Sequence, residues 1–165
     1  ADLGCVSAME SYVSCFVHHI SENKNSDDNL FNDDDVIRYQ EIATKTEEPG
    51  TYLRYAELFR FGWLKTIDME KTAYYMKLSA DKGCVEAMFE YGIMCRDGDC
   101  VKTNKKDAAF YLKMAADKGH DTAMQNYAVM LYEGDGIQKN DDEARKYLKM
   151  AADAGNTNAI LMLNK

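Results

Sequence analysis

SADKGC at 79–84 returns as AADKGH at 115–120 and as AADAGN at 151–156, each time after 36 residues. A fixed interval of this length is the mark of a repeat architecture, and it settles the fold class before any single residue is weighed. The register extends outward from these segments without a gap. Gly62, Gly98 and Gly134 fall in line, as do Tyr75, Tyr111 and Tyr147, Lys77, Lys113 and Lys149, and Tyr55, Tyr91 and Tyr127. Three units follow: 51–86, 87–122 and 123–158.

Inside a unit the apolar spacing is helical. Ala108, Tyr111, Leu112 and Ala115 stand at i, i+3, i+4 and i+7, one face of an α-helix, and Ala144, Tyr147, Leu148 and Ala151 repeat them. Ala87, Tyr91, Met94 and Cys95 form a second stripe in the first half of the unit. Each unit is therefore a helical hairpin. Asp68, Asn104 and Asn140 open the second helices as N-caps, and the acids three residues after the two asparagines, Asp107 and Glu143, suggest a capping box. Gly83, Gly119 and Gly155 end them, because a residue without Cβ takes the left-handed conformation that stops a helix. Ala80, Ala116 and Ala152, a turn earlier, are small enough to let neighbouring helices approach.

The ends read as parts of further units. ADLGCVSAM at 1–9 matches ADKGCVEAM at 80–88 in seven of nine places, so residues 1–7 look like the tail of a preceding repeat. Residues 159–165 look like the start of a following helix, and the expectation is a piece of a longer array. Ends of this kind would allow end-to-end self-stacking. Between 8 and 50 lies a degenerate unit of 43 residues, stretched between its helices by the polar segment SENKNSDDNLFNDDD, with Pro49-Gly50 breaking the chain before Thr51.

Composition narrows the function classes. A net charge of -8 argues against nucleic acid, which needs clustered Lys and Arg, and leaves room for a basic or neutral partner. No apolar run approaches the roughly 20 residues of a membrane-spanning helix. The five cysteines are odd in number, without a CxxC pair, and no Asn-x-Ser/Thr sequon occurs. Reduced thiols and a cytoplasmic setting are expected.

The pattern Ala-x-x-x-Tyr-Gly-x-Met, Gly-x-Gly-Ile/Val, a capping Asp or Asn, and Ala-x-x-Tyr-x-Lys-x-Ala-Ala-Asp-x-Gly resembles the Sel-one-like repeat, a relative of the tetratricopeptide repeat. AMQNYAVMLYEGDGIQKNDDEARKYLKMAADAGN at 123–156 follows the family almost residue by residue. The match weakens at 51–86, where Trp63 and Leu64 replace small loop residues, and is weakest at 8–50. The resemblance implies an all-α, right-handed superhelical solenoid of antiparallel helix pairs that serves as a scaffold or adaptor for other proteins. A cysteine-rich branch of the family joins successive helices by disulfides. The matching positions here are Ala80 and Ala87, Ala116 and Ala123, which sets that branch aside.

In related repeats the first helices line the concave face. By register the residues facing a partner would be Leu53, Glu57 and Arg60, then Phe89, Ile93 and Arg96, then Gln125, Val129 and Tyr132. Phe89, Ile93, Val129 and Tyr132 would make an apolar strip suited to a peptide or helix. The same side chains can equally pack against a neighbouring repeat.

No chemistry converges elsewhere. His18 and His19 are adjacent and His120 follows a helix stop, so capping, core filling or solvation explains them better than a metal or a general base. Cys95 and Cys100 are close enough in sequence to oxidise, yet Cys95 occupies the core position of Leu131. The run Asp33–Asp35 and GDGIQKNDDE at 134–143 lack the ligand spacing of a calcium loop. The expectation is a binding module without catalytic residues, metal or cofactor. Its rivals are a structural spacer and a small hydrolase carried on the solenoid.

Overall fold

The computed structural model describes residues 48–62 and 67–164. The expectations for the tail 1–7 and most of the degenerate unit, with Cys5, Cys15, His18, His19 and Asp33–Asp35, lie outside them, as do those for Trp63 and Leu64. Seven helices and no strand are found among the described residues: α1 Pro49–Arg60, α2 Met69–Asp81, α3 Val85–Asp97, α4 Lys105–Asp117, α5 Asp121–Glu133, α6 Asp141–Asp153 and α7 Thr157–Leu163. Each packs on the next, α1 with α2, α3 with α4 and α5 with α6 as hairpins, and the hairpins stack into a solenoid.

Both apolar stripes are core. Ala108, Tyr111, Leu112 and Ala115 are buried, as are Ala87, Tyr91 and Met94, and Cys95 is 2% exposed where Leu131 is 1%. Within a hairpin the two recurrent tyrosines meet edge to face, Tyr91 with Tyr111 at 4.8 Å and Tyr127 with Tyr147 at 4.9 Å, a favoured aromatic geometry. The first hairpin departs from this, with Tyr55 and Tyr75 tilted at 5.4 Å and Phe59 stacked on Tyr75.

The helix ends follow their punctuation with two corrections. Asp68, Asn104 and Asn140 accept bonds from the N–H of Lys71, Asp107 and Glu143. The reciprocal half of a capping box is absent. Asp107 and Glu143 accept instead from the side-chain amides of Asn104 and Asn140, because the backbone N–H of each asparagine reaches the carbonyl of Cys95 or Leu131 and closes the turn between helices. Pro49 and Gly50 do not break the chain. Pro49 opens α1, where its missing N–H has no intrahelical partner to lose and its fixed φ suits a first turn. At the other end of each second helix, Gly83, Gly119 and Gly155 have positive φ, and two backbone bonds, such as Gly83 N–H to Ala80 and Cys84 N–H to Ser79, complete a Schellman motif.

Successive hairpins are joined along their second helices by one repeated unit. The Tyr111 hydroxyl donates to Asp81 at 2.6 Å while Lys77 bonds the same carboxylate, and Tyr147, Asp117 and Lys113 do the same one repeat on, also at 2.6 Å between hydroxyl and carboxylate. Burial pushes both aspartate pKa values up, but the bonds from lysine and tyrosine outweigh it and leave them below the ordinary value. The bond to the aspartate raises each lysine in turn.

Candidate functional site

The outward faces of the first helices α1, α3 and α5 carry the nine residues singled out by register. On α3, Met88, Tyr91, Met94 and Cys95 turn to the core, which leaves Phe89, Ile93 and Arg96 on the opposite side; Gln125, Val129 and Tyr132 occupy the same phase of α5. Eight of the nine are half-exposed. Leu53 is the exception. At 8% exposure it belongs to the core, so its assignment to the open face is corrected: α1 buries Leu53 in addition to Tyr52, Tyr55, Ala56, Leu58 and Phe59, where α3 and α5 leave the matching position at the surface.

Several of the remaining side chains hold the stack together as well as facing outward. Arg60 bonds Glu90 at 3.1 Å and Asp99 at 3.3 Å, both in the next unit. Arg96 bonds Asn126 at 2.6 Å, again in the next unit, and its neighbour Asp97 at 2.7 Å. Phe89 stacks on the His120 ring with centroids 4.5 Å apart. His120 itself caps α5: its Nδ1 accepts from the Ala123 N–H at 3.1 Å, and its Nε2 lies 3.4 Å from Glu86. Glu57 pairs with Arg54 at 3.0 Å. Arg60 and Arg96 therefore bond into the next unit, Phe89 packs on the cap of the next hairpin, and Ile93 and Tyr132 pack in part against the core while showing the rest of their surface outward.

Glu90, Asn126 and Asp99 were not among the expected site residues. Arg60 with Glu90 and Arg96 with Asn126 are each 30 residues apart, and that shared offset is a signal in the sequence that could have found Glu90 and Asn126, though not Asp99. The most exposed aromatic side chains also lie elsewhere, on the second helices, at Tyr74 (62%) and Phe110 (57%). The third position of that series is Lys146, so no apolar strip continues there.

No group of three or more metal-binding side chains occurs among the described residues. Cys84, Cys95 and Cys100 are free thiols, and burial raises the pKa of Cys95 and Cys100, away from reactive thiolate. No described helix is long and apolar enough to cross a membrane.

The Sel1 repeat model matches residues 51–84, 85–120 and 122–156. Among solved structures, a protective antigen of uropathogenic Escherichia coli displaying an SLR fold is 27% identical with a TM-score of 0.64, covering 71% of this chain and 26% of its own. A Sel1 repeat protein from Oxalobacter formigenes is 23% identical with a TM-score of 0.73, covering 78% of this chain and 37% of its own. The cysteine-rich protein B of Helicobacter pylori is 20% identical with a TM-score of 0.57, covering 74% and 92%. This chain thus spans about a quarter to a little over a third of the first two. No match was found among curated proteins. Ala80, Ala87, Ala116 and Ala123, which stand at the disulfide positions that the resemblance to the cysteine-rich branch implies, are fully buried. Three consecutive matched repeats, with the solenoid they build, make the chain a member of the Sel1 repeat family.

Proposed function

We propose that the chain is a protein-interaction module that holds a segment of a partner protein along the face of its first helices, and that it binds rather than catalyses. Sel1 repeats serve in general as scaffolds for protein–protein interaction, and the choice of face is our own reading. The observation that carries it is a contrast in exposure. The outward residues Glu57, Arg60, Phe89, Ile93, Arg96, Gln125, Val129 and Tyr132 of the first helices are half-exposed, as in a recessed surface rimmed by the exposed Glu86, Asp97 and Glu133, whereas Lys71, Tyr74, Lys106, Phe110, Lys146 and Lys149 on the second helices are exposed. Within the recessed face Ile93, Val129 and Tyr132 offer apolar surface between polar groups that can fix orientation, the composition of a peptide groove. A reducing compartment such as the cytoplasm, where the five cysteines would remain thiols, is the setting we propose.

Phe89 is a poor probe of this face, because its removal would also disturb the cap on α5. Selection of random displayed peptides against the chain, followed by affinity measurement on an Ile93→Ala/Val129→Ala/Tyr132→Ala variant, tests the reading. A loss of about ten-fold or more is expected, measured well below the variant's own melting temperature because Ile93 and Tyr132 also pack in part against the core. Full affinity in the variant would place binding elsewhere, and the absence of any selected peptide would favour a spacer.

A further inference from the structure

The first and second helices differ in charge in a way that bears on the partner. The first helices α1, α3 and α5 carry three arginines against six carboxylates, Glu57, Glu86, Glu90, Asp97, Asp121 and Glu133, none of them buried. The second helices α2, α4 and α6 carry eight cations against eight carboxylates. The net negative charge of these six helices thus comes from the first helices alone.

All three arginines are occupied within the chain, Arg54 by Glu57, Arg60 by Glu90 and Asp99, and Arg96 by Asp97. The carboxylates are not all matched. Glu133 is exposed and has no cationic partner among the described residues, and Glu86, 58% exposed at its side chain, faces only the His120 imidazole. These acids border the apolar positions. Glu86, Glu90, Ile93 and Asp97 succeed one another at steps of four, three and four residues, one helical face with acids a turn to either side of Ile93. On α5, Val129 is followed a turn later by Glu133.

We infer that the segment held on this face is basic and apolar, with aliphatic side chains set on Ile93 and Val129 and Lys or Arg side chains set against Glu86 and Glu133. This rests on the reading of the first-helix face as the binding face. An acidic partner would meet only arginines that are already paired. A neutral one would leave Glu133 without a partner at the rim of the contact, where complementary charge selects partners and speeds encounter.

Three labelled peptides of equal length, alternating Leu–Lys, Leu–Gln and Leu–Glu, test this by fluorescence anisotropy on the whole chain. Leu–Lys is expected to bind tightest. Glu86→Gln/Glu133→Gln should weaken it about five-fold, the size of two exposed charge pairs, while Glu70→Gln/Asp142→Asn, which changes net charge equally on the second helices, should leave it unchanged. Ile93→Ala/Val129→Ala should weaken all three peptides. If Leu–Gln or Leu–Glu binds as tightly as Leu–Lys and still depends on Ile93 and Val129, the face stands and its basic preference is wrong. If Leu–Lys ignores Ile93 and Val129 and responds equally to both charge pairs, the attraction is that of an acidic chain as a whole, and the binding face itself is wrong.

Discussion

Two seams join each hairpin to the next, and they are built differently. Along the second helices the link is written twice in the same letters, Lys77, Asp81 and Tyr111, then Lys113, Asp117 and Tyr147, with the same 2.6 Å bond from hydroxyl to carboxylate. Along the first helices the corresponding link changes from Arg60 with Glu90 to Arg96 with Asn126, and the third position of the arginine series is Tyr132. A seam that only has to stack can be copied from unit to unit. A surface that also has to recognise something is free to differ, and of the two seams the one that differs lies on the face we assign to binding.

The largest effect belongs to neither seam. Leu112 is fully buried between them, so Leu112→Ala should lower stability by about 3 kcal/mol through lost burial and the cavity left behind, read as a fall in the urea midpoint. A loss below about 1 kcal/mol would mean that the hairpins collapse around the gap, and that the seams rather than the core hold the stack.

Removing the second-helix bond with Tyr147→Phe should cost about 1 kcal/mol, after allowance for the exposure of Asp117, whereas Arg96→Gln on the first-helix seam should stay within about 0.5 kcal/mol. Acid should reveal the same difference. Asp81 and Asp117 have folded pKa values below the ordinary 3.8, so their stabilisation is complete above that value and is lost as the pH falls through the lower folded values. A Tyr111→Phe/Tyr147→Phe chain, with weaker bonds to lose, should show a shallower decline in melting temperature over that acid range.

The smallest effect tests the turn between first and second helices. Gly136 has φ 73 and lies against the Lys105 carbonyl, leaving no room for a Cβ; one repeat earlier the same left-handed conformation is held by Cys100 at φ 60. Cys100→Gly should raise stability by about 0.5 kcal/mol, since relief of backbone strain is partly offset by the freedom glycine gains when unfolded.

Both apolar stripes, the caps at Asp68, Asn104 and Asn140, and the stops at Gly83, Gly119 and Gly155 were legible in the sequence, because each depends on spacing within one helix. What was not legible depends on how one hairpin sits on another. Arg60 meets Glu90 and Tyr111 meets Asp81 because of the rotation between units, which a period of 36 residues does not state. The capping box failed for a related reason, since the N–H it needed at Asn104 was taken by the carbonyl of Cys95 across the turn. Leu53 was placed outward by phase alone, and phase does not report what else packs on α1.

Recognition by the first-helix face is the central claim, and amide shift mapping addresses it directly. Titration of the labelled chain with the Leu–Lys peptide, followed in ¹⁵N–¹H correlation spectra, should move the signals of Ile93, Arg96, Val129, Tyr132 and Glu133 and leave α4 and α6 in place. Shifts gathered instead around Phe110, Lys146 and Lys149 would put recognition on the second helices and contradict it.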